Sequence, residues 1–325
     1  MRVLSGIQPS GKLHLGNYFG MMKPALELQD KQAETFLFIA NYHALTSVQE
    51  SSALRKGTDD VALDFLACGL DPHKTVFYRQ SDVPQVHELA WLLSVVTPMG
   101  LLERCHSYKD KITHGITPNH GLFAYPVLMA ADILAVQADV VPVGQDQKQH
   151  VEVTRDLAIK FNNRFGETFK IPEPLIKEEV AVVPGIDGQK MSKSYNNSIE
   201  LFLPQNELRK ACMRIVTDSK TVPDKKDPDK CNVFALYRLF AAKEMCAKMA
   251  CRYREGGIGY GEVKKELAEL IWQYFAPARA RREKLLSDSA ELERILREGA
   301  EKARRVIEIT LKKARVAVGL ELQIH

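Results

Sequence analysis

Arg2-Val3-Leu4-Ser5-Gly6-Ile7, followed directly by Gln8-Pro9-Ser10-Gly11-Lys12-Leu13-His14-Leu15-Gly16-Asn17, is the stretch that decides the fold. The first six residues are a short, largely aliphatic run of the kind that forms a buried strand. Pro9 and Gly11 then shape a turn, and residues 16–29 carry apolar side chains at helical spacing. The same order recurs downstream. Runs at 35–40, 75–79 and 138–143 read as strands, and 51–68, 84–95, 122–136 and 146–165 read as helices. Alternating strands and helices predict an α/β fold, a doubly wound parallel sheet of Rossmann-like type. Ligands of such sheets gather at the carboxyl ends of the strands.

The character changes after residue 163. Pro172 and Pro174 flank a turn-rich segment, a short strand is expected at 179–183, and Pro184-Gly185-Ile186-Asp187-Gly188 leads into Lys190-Met191-Ser192-Lys193-Ser194. Helices are expected at 205–216, 233–250 and 260–275, with an exposed linker at 220–230 around Pro223 and Pro228. A last helix runs from Ser289, read as its N-cap, to Gly319 as its C-cap. Leu292, Ile295, Ala303, Val306 and Thr310 give this helix one apolar stripe. The expected organisation is a catalytic α/β domain over 1–195 and a smaller helical domain over 196–325, the last helix packing back toward the first domain.

Composition narrows the class. Of 325 residues, 45% are hydrophobic, enough for a sizeable core. No apolar run approaches the roughly 18 residues that cross a bilayer, and the N-terminus begins as a strand without a signal-peptide core, so a cytoplasmic protein is expected. Six cysteines at 68, 105, 212, 231, 246 and 251 form no Cys-x-x-Cys pair. Cys231, Cys246 and Cys251 cluster in helical sequence, but their spacing matches no metal-ligand pattern, and packed thiols are expected. The net charge is +4, and residues 281–315 hold 11 Lys/Arg against 7 Asp/Glu, a surplus that accounts for all of it. A basic helix face can contact phosphates, or it can be a solvated face laced with ion pairs.

Three motifs carry chemistry. In the first, residues 8–17, Gly16 allows close backbone approach at a helix start, where amide groups favour phosphate, and His14 and Asn17 add side-chain donors. The plain alternative is a turn whose glycines serve only its shape. In the second, two lysines, Lys190 and Lys193, ride a glycine-flanked loop able to swing onto a leaving pyrophosphate. In the third, residues 121–137 are apolar nearly all round except for one acid, Asp132. A buried carboxylate needs a donor, and an indole has one N–H and no acceptor. A neighbouring backbone amide or lysine would satisfy it equally well.

The first motif resembles the HIGH signature of class I aminoacyl-tRNA synthetases, with Asn17 in place of the final His, and Lys190–Ser194 matches their KMSKS signature letter for letter. With residues 5–11, 129–134 and 141–150, the chain resembles bacterial tryptophanyl-tRNA synthetases over essentially its whole length. The resemblance implies activation of L-tryptophan with ATP to tryptophanyl-AMP and pyrophosphate, then transfer to the 3′ end of tRNA(Trp). It implies catalytic roles for His14, Asn17, Lys111, Lys190 and Lys193. It places ATP on Gln8, Pro9, Ser10, Gly16, Asn17, Gly144, Gln145, Asp146, Val182 or Val183, and on Lys190, Met191, Ser192, Lys193 and Ser194. It assigns the tryptophan pocket to His43, Tyr125, Met129, Asp132, Val141, Val143 and Gln147. Mg²⁺ is expected to arrive with ATP, with no dedicated protein metal site. A homodimer and an anticodon contact on the helical part, with 279–284 as a candidate cluster, are further implications.

Leu4 and Gln145 depart from the family pattern, which carries an aromatic and an acid there, as does the Pro-Gly-Ile-Asp-Gly loop. The nearest rival is a tyrosine–tRNA ligase, which shares both signatures but reads a phenol. A small nucleotidyltransferase would not need the basic helical half, and a pure RNA-binding module would not need His14, Asn17, Lys190 and Lys193 together.

Overall fold

The computed structural model describes residues 1–30, 33–105, 119–144, 147–176 and 183–322. Among them, strands β1 (Arg2–Ile7), β2 (Glu34–Ile39), β3 (Thr75–Arg79), β4 (Val140–Val143) and β5 (Glu173–Ile176) form one parallel sheet in the order β3-β2-β1-β4-β5. The chain winds outward from β1 through β2 to β3, then returns to set β4 on the other side of β1. The order reverses between β1 and β4, so a crevice opens at their carboxyl ends.

Both faces of the sheet are covered, which is why β2 is apolar along nearly its whole length. Its residues nevertheless alternate. Leu37 and Ile39 join Ile7, Phe65 and Phe77 in one core, while Phe36 and Phe38 join Leu4 and Tyr78 in the other. Strand β5 departs from the sequence reading, which treated Pro172 and Pro174 as marks of a turn. At the sheet edge, a proline's missing N–H leaves no central ladder bond unmade. The strand expected at 179–183 lies outside the described residues except for Val183.

Helices α1 (Ser51–Ala67), α2 (Gln85–Ser94), α3 (His120–Ala135) and α4 (Lys148–Phe165) fall close to their expected bounds. The helix expected at 16–29 is broken instead: Leu15–Asn17 is α-helical, Tyr18–Met22 is a π-turn and Lys23–Leu28 is α-helical again. Pro24 has no N–H to return to the preceding turn, and the ladder re-forms with a wider step.

The second half holds α5 (Gln205–Met213), α6 (Lys243–Glu255), α7 (Tyr260–Tyr274), α8 (Ala276–Leu286) and α9 (Ser289–Ala317). The helix expected at 233–250 divides into Asn232–Tyr237 and α6. The break lets Phe240 meet the rings of Phe19, Tyr274 and Phe275. The N-cap of α9 is Asp288, which accepts from Glu291 N, rather than Ser289. At its other end Gly319, at φ +82°, turns the chain so that Leu320 N donates to Arg315 O at 2.8 Å.

Helix α9 passes around the edge of the sheet. Its first half contributes Leu292, Ile295 and Leu296 to one core, and its second half contributes Ala303, Ile307, Leu311 and Ala314 to the other. The crossing is at Gly299, where a Cβ would lie 1.7 Å from Phe77 O of β3. Ion pairs fasten α9 on both sides, Arg79 with Glu293 and Arg315 with Glu88. In α8, Arg282 binds Asp60 and Asp64 at 2.7 Å each, Arg281 donates to Ala67 O, and Arg279 lies on the Trp272 ring. Arg281, Arg282 and Arg315, three of the cations in 281–315, therefore dock helices onto the α/β half.

Gly299→Ala tests this crossing. In a free helix the change would gain about 1 kcal/mol. Here the methyl would meet strand backbone, and overpacking should lower the urea midpoint by an amount equivalent to about 1–3 kcal/mol with an unchanged slope.

Candidate active site

The loop after β1 is shaped by a reciprocal cap. His14 Nδ1 accepts from Asn17 N at 3.3 Å, and Asn17 Oδ1 accepts from His14 N at 3.1 Å. This arrangement makes Nδ1 an acceptor, so the neutral ring carries its proton on Nε2. Burial, aided by the nearby Lys193 charge, pushes the His14 pKa down to about 4, which keeps that neutral form near pH 7.

The two signatures, far apart in sequence, are in contact. Gly16 N donates to Met191 Sδ at 3.3 Å, and Lys193 Nζ reaches Ser10 O at 3.4 Å. A Cβ on Gly16 would lie 2.9 Å from His14 Nδ1 and 3.3 Å from Met191 Cβ, so only glycine fits between them. Residues 13–15 and 199–201 are laced together by Leu15 N to Ile199 O and Leu201 N to Leu13 O, with Lys12 paired to Glu200. Burial lowers the pKa of Lys193, opposed by the charges of Glu200 and Asp64.

The amide groups that the sequence reading offered to phosphate are engaged within the protein. Leu15 N bonds Ile199 O and Asn17 N bonds His14. Only Gly16 N meets a weak acceptor, a thioether that a phosphate oxygen would outcompete. Gln8, Ser10 and Gly144 are exposed around the crevice, and Pro9 is buried beneath α1, where a Cβ on Gly57 would lie 2.7 Å from Pro9 O. Lys190 is exposed and Ser192 half-buried, while Val183 accepts from Met191 N. Lys111, Gln145, Asp146 and Val182, and the side chain of Ser194, lie outside the described residues.

On the other side of the crevice Asp132 is 3% exposed, inside α3. His43 Nε2 donates to its Oδ2 at 2.8 Å, and Gln80 Nε2 lies 2.9 Å from both carboxylate oxygens. The Gln80 amide is oriented by its other end, where Oε1 accepts from Tyr42 N at 3.1 Å and His43 N at 3.4 Å. An ionised carboxylate offers about four lone-pair sites, so these donors leave capacity for one more N–H.

His43 meets Tyr125 edge to face. Tyr125 OH is 2.7 Å from His150 Nε2, and His150 Nδ1 is 2.9 Å from Gln147 Oε1. Val141 is buried, with Met129 and Val143 packed beside it in the second core. The sequence reading named His43 and Asp132 but missed Gln80 and His150. Gln80 directly follows β3 at the carboxyl edge, a position the fold class itself marks for ligands.

The whole chain has relatives of known type. Residues 1–276 match the family model of class I tRNA synthetases for tryptophan and tyrosine. A tryptophan–tRNA ligase of Rhodopirellula baltica is 54% identical over 320 residues, spanning 98% of this chain and 100% of that protein. A solved tryptophanyl-tRNA synthetase of Campylobacter jejuni, complexed with ADP and tryptophan, is 50% identical and superposes with a TM-score of 0.95 over 98% of this chain and 100% of its own. The enzyme of Mycoplasma pneumoniae is similar at 30% identity and a TM-score of 0.80, covering 98% of each chain.

The state of His14 has a pH signature. Its folded pKa of about 4 lies below the ordinary 6.5. Between those values the unfolded chain binds a proton that the folded chain refuses, so stability is full above 6.5 and falls as pH drops toward 4. A ring-nitrogen NMR titration should show His14 neutral down to about pH 5, with Nδ1 unprotonated. Titration near 6.5 would contradict the buried cap.

Proposed function

We propose a division of work among these residues from one premise: the chain belongs to the bacterial tryptophan–tRNA ligases, within the class I tRNA synthetases. It is an ATP-dependent ligase that activates L-tryptophan as tryptophanyl-AMP, releases pyrophosphate, and transfers tryptophan to the 3′ end of tRNA(Trp).

The observation that carries the residue assignment is the oriented carboxylate of Asp132, held by Gln80 and His43 with capacity for one more donor. In this reading the indole N–H supplies that donor. His43, Tyr125, Met129, Val141 and Val143 wall the ring, and Gln147 meets the amino group. A polar reader of this kind can reject a substrate lacking the donor by 10⁴–10⁵-fold at its best, so selection of tryptophan needs no editing site.

ATP takes the crevice between the ends of β1 and β4, against Gln8, Pro9, Ser10, Gly16, Asn17 and Gly144, with Gln145, Asp146 and Val182 or Val183 completing it. The tryptophan carboxylate is already a nucleophile, so the first step needs no general base. Positioning and charge neutralisation set its rate. Neutral His14 can donate through Nε2–H to a phosphate oxygen. Lys190 and Lys193, with Met191, Ser192, Ser194 and Lys111 also assigned to ATP, close on the triphosphate and take up charge on the departing pyrophosphate. The substrate is ATP with its own Mg²⁺.

Amino-acid-dependent ATP–pyrophosphate exchange separates these roles. Lys193→Ala should lower kcat by about 10²–10³-fold with tryptophan binding retained. Asp132→Asn should raise the KM for tryptophan about 10–100-fold, the loss of a charge-assisted hydrogen bond, with the KM for ATP nearly unchanged. Normal exchange in the first variant removes the lysine role, and unchanged tryptophan affinity in the second removes the indole contact.

The helical part, residues 196–325, is proposed to carry the tRNA contact. Arg281, Arg282 and Arg315 bind the α/β half, so phosphate contacts fall to other cations of that region. A homodimer is supported by an apolar face between α2 and α3. Trp91, 69% exposed, and Leu45, 51% exposed, line a hollow of about 390 Å³ bordered by His43 and Tyr125, and Val95 and Met99 are exposed as well. Trp91→Glu should convert the dimer to a monomer in sedimentation analysis, and an unchanged sedimentation coefficient would count against this face.

A further inference from the structure

Asn197 lies just beyond the KMSKS signature and is 1% exposed. Its side chain makes three hydrogen bonds to the loop. Oδ1 accepts from Ser192 N at 2.7 Å, and Nδ2 donates to Asp187 Oδ1 at 2.8 Å and to Lys190 O at 3.1 Å. The amide orientation is fixed by chemistry, because only an oxygen can accept from the Ser192 N–H. Its main-chain carbonyl accepts from Ile186 N at 2.9 Å, and Gly185 makes room for the amide, since a Cβ there would lie 2.4 Å from it.

One buried amide therefore joins the turn before the signature to the backbone on either side of Met191. Those backbone groups carry Lys190 and Lys193, and Lys193 reaches the Ser10 loop. The same turn is anchored outward, where Ile186 O accepts from Val216 N at 2.7 Å and Asn232 Nδ2 donates to Val216 O at 3.3 Å. The buckle thus references the loop to the helical half as well as to the sheet.

We propose that Asn197 is a positioning residue for amino-acid activation, fixing the backbone course that places Lys190 and Lys193 over the triphosphate. The proposal rests on the role given above to those lysines. The Asn197 amide is taken up by Ser192, Asp187 and Lys190, so its part is to act through the lysines. Without its clasp the lysines would remain present but misplaced, a fault that lowers turnover more than substrate binding.

The design of the test follows from the two partners. Asn197→Asp keeps the acceptor for Ser192 N, removes both donors, and sets a carboxylate against Asp187. Adding Asp187→Asn restores a donor–acceptor pair in reversed sense. In ATP–pyrophosphate exchange, Asn197→Asp should lower kcat by about 100-fold, while tryptophan affinity, read by calorimetry, stays within about twofold of the native enzyme. The double variant should recover about tenfold of that loss, because the coupling belongs to the pair. Asp187→Ala, at an exposed position, should lower kcat severalfold and keeps the proposal testable if Asn197→Asp does not fold. Native kcat in both single variants, or equal losses of kcat and tryptophan affinity without rescue, would overturn the proposal. If Lys193→Ala leaves exchange intact, the lysine reading fails instead, and the two failures are told apart.

Discussion

Everything in this molecule hangs on the place of β1 in the middle of a parallel sheet whose strand order reverses beside it. Neighbouring connections leave β1 and β4 in opposite directions, and a crevice forms at their carboxyl ends. The loop at 8–17 and Gly144 border that crevice from two sides. His43 and Gln80 follow β2 and β3 at the same edge of the sheet, and they converge on a carboxylate carried by α3. Parallel register is what brings four separated stretches of chain to one rim.

The two sides of the crevice are built on different principles. The Asp132 side is deeply buried, and its carboxylate is held by His43 and an oriented Gln80, as low dielectric demands. The signature side is looser. The two signatures meet through a thioether acceptor at Gly16 and a long bond from Lys193 to Ser10. Under the proposed function, those are contacts a phosphate would replace, while the bonds of Asn197 lie at the base of the loop.

In the C-terminal helices part of the positive charge has a structural use. A surplus of positive charge on helical sequence suggests a nucleic-acid face, yet Arg282 and Arg315 pair with carboxylates of the α/β half. Helix α9 closes the β3 edge and contributes to both cores, so its apolar stripe serves the sheet more than its own neighbours. An edge strand left bare would invite pairing with another chain.

What the sequence determined by itself was local in kind. Strand and helix periodicity, the turn at Pro9 and Gly11, and the two signatures were legible because each depends on residues close in the chain. The lone acid of residues 121–137 was legible too, since it stands out against its own segment. Helix breaks at Tyr18–Met22 and before α6 were less so, because a proline-driven π-turn and an aromatic cluster override helical spacing. Tertiary structure alone decided that Gln80 and His43 hold Asp132, that Met191 rests on Gly16, and that Asn197 buckles the loop. Those pairings join residues on different elements, and only sheet register and packing bring such groups within hydrogen-bond distance.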